Sequence, residues 1–145
     1  IAATGGPAVL PQTTLQEKGY KGRIYQTHGV ATNDFIRIGG KAVEGTYYAS
    51  HYSSESTVPE VSEFVKKYRA RFNGDTPDSM APLAYDAALI IAEAITRAGT
   101  TEGKALRDAI AATKDFPGIT GSITLDEKRN ANKPAVKSPS VKRKN

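Results

Sequence analysis

The chain has 145 residues, of which 39% are apolar and 24% are charged, values that are typical of globular proteins and argue against the disordered and membrane classes. It contains no cysteine, which excludes disulfides, zinc–thiolate sites and cysteine nucleophiles. The net charge of +5 comes entirely from residues 133–145, because residues 1–132 carry 15 basic and 15 acidic side chains, and we therefore expect no nucleic-acid partner for the folded part.

The first 50 residues alternate predicted helices and strands. The stretch ATGGP (residues 3–7) predicts a strand end and a glycine turn, followed by a helix. Leu10, Leu15 and Tyr20 supply the apolar face of that helix. The next predicted elements are a strand at 23–27, a short helix at 35–38 with Thr32, Asn33 or Asp34 as its cap, and a strand at 43–50. This alternation is typical of a parallel α/β sheet.

Three predicted helices then follow without a strand between them. The clearest lies at residues 57–72, where apolar side chains recur at three- and four-residue spacing and Thr57 with Glu60 forms a capping-box pattern. The remaining predicted elements are helices at 79–97 and 101–113 and, after the turn-rich stretch FPGITG, a strand at 122–126. Because the sequence predicts so few strands, it favours two parts that each contain a small sheet and are joined by segments in which the chain crosses from one part to the other.

Four stretches together resemble a known family. They are ATGGP, GYKGRIYQTHGVATNDFIRIGGKAVEGTYYAS (19–50), FNGDTPDSMAPLAYDAALIIAEAI (72–95) and FPGITGSITLDEKRN (116–130). In order and spacing they resemble the later half of a type I periplasmic binding protein, of the subfamily that serves branched-chain and related amino acids for ABC transporters. The resemblance covers residues 1–136. It implies an α/β fold of two lobes, with parallel sheets flanked by helices, of which only a part is present here.

The resemblance also implies a division of the chain. Residues 1–50 resemble part of the second, C-terminal lobe, residues 51–119 the helical return into the first lobe, and residues 120–136 the last crossing and re-entry into the second lobe. Relatives continue there with an apolar strand, whereas residues 137–145 read KSPSVKRKN, for which we expect a basic tail without fixed structure. The first half of the relatives, with the loops that hold the ligand carboxylate, is expected to lie outside this chain.

Ligand-facing positions follow from the resemblance. They are Thr4, Gly5 and His28 at strand ends, where open α/β sheets bind ligands, and Ser79 and Met80 at the start of the long helix. Relatives that bind aliphatic amino acids often carry a carboxylate where His28 stands, so the ligand class stays open, and a ligand with an acidic or non-standard group is favoured. The alternatives are an ordinary loop histidine for His28 and core filling for Met80.

Several other residues have a structural interpretation. Tyr85 and Asp86 fit helix packing and a local polar contact, and His51 fits a structural or exposed position where the chain crosses between lobes. His28 and His51 have no evident third ligand, so we expect no metal site. The sequence has no GxSxG motif, and we expect neither catalytic residues nor a cofactor.

The resemblance implies a binding function rather than an enzyme. We expect capture of an amino acid or a related small solute in a cleft that closes around it, and delivery to the membrane subunits of an ABC permease. The expected location is the periplasm, or the cell surface as an anchored lipoprotein, with the signal peptide outside this chain. The alternative is a ligand-sensing module of a receptor or transcriptional regulator, which uses the same fold. By itself the chain is expected to bind ligand poorly and to self-associate through uncovered strand edges and helix faces.

Overall fold

Helices and strands alternate in the first part of the fold, as predicted. The computed structural model describes residues 1–138. Its elements are α1 (Val9–Glu17), β1 (Tyr25–Gln26), α2 (Asn33–Gly39), β2 (Tyr47–Ser50), α3 (Pro59–Arg71), α4 (Met80–Ala98), α5 (Gly103–Ala111), β3 (Phe116–Gly118), β4 (Gly121–Leu125), β5 (Ala131–Asn132) and β6 (Val136–Ser138). Single 3₁₀ turns lie at Gly6–Ala8, His28–Val30 and Gly40–Val43.

The described residues form two compact units. Unit 1 contains residues 1–53, 78–80 and 135–138, and unit 2 contains residues 54–77 and 81–134. These boundaries differ from the expected division, because residues 120–134 belong with the helices of unit 2. The assignment of the two units to the lobes of the family fold stays a prediction.

Unit 1 is built on a sheet of three strands in the order β1-β2-β6. β1 and β2 run parallel, with Tyr25 opposite Tyr47 and Gln26 opposite Tyr48. β6 runs antiparallel to β2, so the sheet contains one parallel and one antiparallel pair of strands. The expected unstructured tail was wrong at its start, because a ladder is formed by backbone hydrogen bonds and does not require apolar side chains. The rest of that predicted tail, residues 139–145, lies outside the described residues.

The buried face of α1 is partly polar. The predicted apolar face was wrong at Leu10 and Tyr20, whose exposed fractions are 70% and 46%. Gln12 is buried instead, and its amide donates a hydrogen bond to Thr46 Oγ1 (2.7 Å). Gln26 of β1 donates to Gln12 Oε1 (3.1 Å). This buried amide network joins α1, β1 and the residue before β2. The apolar cluster beside it comprises Ala8, Val9, Val30, Phe35 and Val43.

The side-chain cap predicted for α2 is present, whereas the one predicted for α3 is not. Thr32 Oγ1 accepts a hydrogen bond from the Phe35 N–H (3.3 Å) at the start of α2, as predicted. The N-cap of α3 is Val58, which makes no side-chain capping bond, so the predicted capping box of Thr57 and Glu60 was wrong. Val58 has an extended backbone, and the proline that follows it disfavours a helical conformation there.

Unit 2 contains the three predicted helices and a β-hairpin that the sequence predicts only in part. The stretch FPGITG, expected to be a turn, supplies β3, which pairs antiparallel with β4. Gly118 lies opposite Gly121 across a two-residue loop, and Gly121 has a φ of 107°, which glycine adopts without the strain of a side chain. The buried apolar side chains of this unit are Val61, Val65, Ile90, Ala94 and Ile123.

Asp86 fastens the hairpin loop to α4. Its carboxylate accepts hydrogen bonds from the N–H groups of Ile119 (2.7 Å) and Thr120 (2.9 Å), and from the Thr120 hydroxyl (2.7 Å). The Lys133 ammonium donates to the same hydroxyl oxygen (2.8 Å), and burial lowers the pKa of Lys133, although the charge of Asp86 acts in the opposite direction. A Cβ at Gly118 would lie 2.7 Å from the Asp86 carboxylate, so the close approach needs glycine. The polar contact predicted for Asp86 is confirmed.

We expect the substitution Asp86→Ala to lower the free energy of unfolding by about 3 kcal/mol, because three hydrogen-bond donors, those of Thr120 buried, lose their acceptor. Urea unfolding followed by circular dichroism measures this change. Asp75→Ala is the matched control on the exposed surface of the same unit, and it is expected to change stability by no more than about 0.5 kcal/mol. Equal losses in the two variants would contradict the role given to Asp86.

Large apolar side chains remain exposed on unit 2. Phe72, Tyr85, Leu89 and Ile91 are between 41% and 47% exposed, and burial of exposed apolar side chains between two copies of a chain favours association. Self-association of the chain stays a prediction. Sedimentation velocity at rising protein concentration is expected to show a growing dimer fraction that Leu89→Lys reduces and that Leu10→Lys, on unit 1, leaves unchanged. A monomer at all concentrations would disprove it.

Candidate functional site

The five residues predicted to face a ligand all belong to unit 1. Thr4 and Gly5 lie in the loop before α1, His28 follows β1, and Ser79 and Met80 lie in the short segment at residues 78–80. No strand precedes Thr4 and Gly5 in residues 1–138, so the strand end predicted there was wrong. The segments that contain Thr4, Gly5, His28 and Ser79 are connected by the contacts described below, whereas Met80 only follows Ser79 along the chain.

Two backbone loops touch at the carboxyl end of β1. The Gly5 N–H donates to the Gly29 carbonyl oxygen (2.8 Å), and the Thr27 hydroxyl donates to the Ala3 carbonyl oxygen (2.9 Å). A Cβ at Gly29 would collide with the Thr4 methyl group and come within 3.2 Å of the Ala3 carbonyl oxygen. Gly5 has a φ of 54°, which lies in the left-handed region that favours glycine. The two glycines therefore permit the loop at residues 3–5 to lie directly against the loop at residues 27–29.

His28 lies beside the second histidine of the chain. It opens the 3₁₀ turn after β1 and is half-buried, and its ring centroid is 5.3 Å from that of His51, with the ring planes at 50°. His51 directly follows β2. Because β1 and β2 are parallel, the residues after both strands leave the sheet at the same edge. The interpretation of His51 as structural or exposed missed this neighbourhood, although its position directly after a predicted strand was a usable signal.

Ser79 is held at the same edge by hydrogen bonds. Its N–H donates to the Ala31 carbonyl oxygen (3.3 Å), and its hydroxyl lies 3.2 Å from the Ser50 hydroxyl, within hydrogen-bond distance. Both serines are buried. The Met80 N–H donates to Asp78 Oδ1 (2.9 Å), so Asp78 caps the start of α4, while the Met80 side chain is exposed. Ser79 thus stabilises this edge through its contacts with Ala31 and Ser50. A direct contact of Ser79 or Met80 with a ligand stays a prediction.

The edge presents groups suited to a small polar solute. Thr4 is an exposed residue that carries a hydroxyl, and an imidazole either donates and accepts, when neutral, or donates twice, when protonated. A few polar groups on a preformed wall are typical of small-molecule sites. Within residues 1–138 there is no group of three or more His, Cys, Asp and Glu side chains that could hold a metal ion.

A separate groove lies on unit 2. Its volume is about 370 Å³, and it is lined by aromatic side chains of α3, of α4 and of the residue that follows α3, and by charged side chains of α3: Phe64, Tyr68, Phe72 and Tyr85, with Glu60, Glu63, Lys67 and Arg71. Phe64 contacts both Tyr68 and Tyr85, at ring-centroid distances of 6.1 and 5.2 Å. None of the predicted site residues lines this groove, so it is distinct from the strand-end site. Among the described residues, no helix combines the length and apolarity that crossing a bilayer requires.

Comparison with known proteins gives consistent matches. A family described as "Periplasmic binding protein" matches residues 1–138. A Leu/Ile/Val-binding protein homolog 1 of Brucella suis is 27% identical over 114 residues, which cover 79% of this chain and 30% of that protein. The structure of a leucine-binding protein from Thermotoga maritima superimposes with a TM-score of 0.83 at 32% identity, covering 96% of this chain and 40% of that one.

A second structure carries a bound ligand. The branched-chain amino acid transporter substrate-binding protein of Streptococcus pneumoniae, in complex with isoleucine, matches with a TM-score of 0.81 at 26% identity, over 94% of this chain and 39% of that one. The chain thus spans less than half the length of these relatives. The matches confirm the resemblance and the type I fold that it implied. This chain belongs to the periplasmic binding protein family and corresponds to a part of the length of its relatives.

Proposed function

We propose that the protein is part of a solute-binding component of an ABC transporter, and that the strand-end edge of unit 1 is one wall of its ligand site. The solute is an amino acid or a related small molecule. The observation that carries the proposal is the contact of the loops at residues 3–5 and 27–29, fixed by the bond from the Gly5 N–H to the Gly29 carbonyl oxygen. It makes a preformed polar wall at the carboxyl ends of parallel strands, where α/β folds bind ligands.

Capture proceeds by closure around the solute. A ligand that contacts this wall and an opposite wall at the same time binds the closed form better than the open one, and so shifts the population toward it. The opposite wall is supplied by the part of the relatives' length that this chain does not span. The closed form is then what the permease subunits recognise. The location that follows is the periplasm or the outer face of the cell membrane, where such a component meets its solute.

Because one wall alone makes few contacts, we expect the 145-residue chain to bind amino acids with a Kd of about 1 mM or weaker. Two-dimensional amide NMR with a panel of amino acids detects binding of this strength. The expected result is that shifts concentrate at the amides of Thr4, Gly5 and His28. The proposal fails if no solute perturbs these amides, and micromolar affinity would contradict the expectation that an opposite wall is needed.

The contact between the two loops gives a second test. We expect Gly29→Ala to weaken binding by about tenfold, because its methyl group would push the loop at residues 3–5 away and displace the wall. Gly103→Ala is the matched control, since a Cβ there meets nothing within 4 Å, and it should bind as the unchanged chain does. Ligand titrations followed by NMR measure both variants. If the Gly29→Ala variant binds ligand as the unchanged chain does, the contact between the two loops does not contribute to ligand binding.

A further inference from the structure

A continuous row of aromatic rings lines the groove on unit 2. Ring centroids are 5.2 Å apart for Tyr85 and Phe64, 6.1 Å for Phe64 and Tyr68, and 4.4 Å for Tyr68 and Phe72. Phe72 and Tyr85, at the two ends of the row, are exposed. Aromatic side chains are enriched in protein–protein interfaces, because each buries a large apolar area. The row is therefore a surface on which a second protein would gain free energy by packing.

Four charged side chains of α3 form a stripe beside this aromatic row. Glu60, Glu63, Lys67 and Arg71 line the groove, and their spacings of three, four and four residues place them on one face of the helix. All four are exposed. The two acidic residues lie in the N-terminal half of α3 and the two basic residues in its C-terminal half. The charged stripe is thus negative at one end and positive at the other.

This order of charges makes the surface complementary to itself. When two copies of α3 lie antiparallel about a twofold axis, Glu60 of each copy stands opposite Arg71 of the other, and Glu63 opposite Lys67. Both pairs are centred on the same turn of the helix, so one position of the axis aligns them together. A twofold interface joins the same surface of both copies, and each contact therefore occurs twice. A parallel arrangement would instead place like charges opposite each other, which is unfavourable.

The contacts that these charges make within one chain are weak. Lys67 Nζ lies 3.4 Å from Glu63 Oε1, and both side chains are exposed. The guanidinium of Arg71 lies 5.7 Å from the ring centroid of Phe72, at the end of the aromatic row. An exposed ion pair contributes little to stability, because water and salt screen it. Little is therefore lost when these groups contact opposite charges of a second copy.

We propose that the groove of unit 2 is a twofold interface between two copies of this chain, with α3 packed antiparallel against α3 of the partner copy. The aromatic row supplies the apolar contact, and the charged stripe sets the direction of the two helices. α3 has 13 residues, and a helix of this length extends over about 20 Å. Because such a contact is small, the dimer is weak, with a Kd of about 100 µM.

Sedimentation equilibrium measures this Kd for the 145-residue chain and for charge variants. Lys67→Glu places two carboxylates opposite each other at two symmetric positions and should raise the Kd about tenfold. The double variant Glu63→Lys with Lys67→Glu restores opposite charges, and its Kd should return to within about twofold of the original. Circular dichroism checks that each variant is folded.

Lys66→Glu is the matched control for these variants. Lys66 is exposed on the same helix and does not line the groove, so the same change of charge should alter the Kd by less than about twofold. The unchanged chain keeps the proposal testable if a variant does not fold. Its own Kd should rise with ionic strength, because salt screens the charge pairs between the copies.

Oxidative cross-linking tests the direction of the helices, without background because the chain has no cysteine. A mixture of the variants Glu60→Cys and Arg71→Cys should form a disulfide-linked dimer that contains one copy of each, identified by mass spectrometry. Neither variant should cross-link with itself. In the antiparallel arrangement the two copies of residue 60 lie about 16 Å apart along the helices, and a disulfide requires Cα atoms within about 7 Å.

Each contrary outcome overturns a stated part of the proposal. A chain that is monomeric at all concentrations would overturn the interface. Cross-linking of Glu60→Cys with itself would overturn the antiparallel direction, and a double variant as weak as Lys67→Glu would overturn the charge pairs. A monomeric chain whose Phe64 and Tyr68 amides shift with amino acids would assign the groove to a small solute. None of these results depends on the strand-end amides that test solute capture.

Discussion

The parallel pairing of β1 with β2 is the constraint on which the candidate site depends. The pairing sends the residues after both strands to one edge of the sheet, which brings His28 and His51 together. The ladder itself is short, with two residues of β1 paired, and so short a ladder is weak alone. The buried amide network of Gln12, Gln26 and Thr46 supports it from α1. A slip of one residue would turn every side chain of the strand to the other face.

The second part of the wall is the loop at residues 3–5, whose position depends on two glycines. The loop at residues 3–5 reaches the sheet edge because Gly29 leaves room for the Thr4 methyl group and Gly5 adopts a positive φ. Backbone groups that are already fixed lose little freedom on binding a ligand, which is the physical advantage of a preorganised site. Ser79 also stabilises the wall, through the contact of its hydroxyl with that of Ser50. The site is therefore made of loops, and its rigidity comes from hydrogen bonds between segments distant in sequence.

Much of the fold follows from local sequence patterns. The apolar periodicity of α3 and the glycines after α3 and α4 indicate these helices correctly, because helices are stabilised by residues near each other in the chain. The cap at Thr32 was predicted for the same reason. The polar burial of Gln12 could not be predicted, because its partner Thr46 lies 34 residues away. β3 was missed because FPG has little strand character without β4 beside it.

The sequence by itself determined the family resemblance, the α/β class and the position of His28 at a strand end, because these depend on motifs and periodicities that are local in the chain. Only the tertiary structure decided that His51 lies against His28 and that β6 pairs with β2. It also decided that Asp86 secures the hairpin loop of unit 2. The physical reason is that strand pairing and buried hydrogen bonds join distant segments, and local propensity does not specify which segments meet.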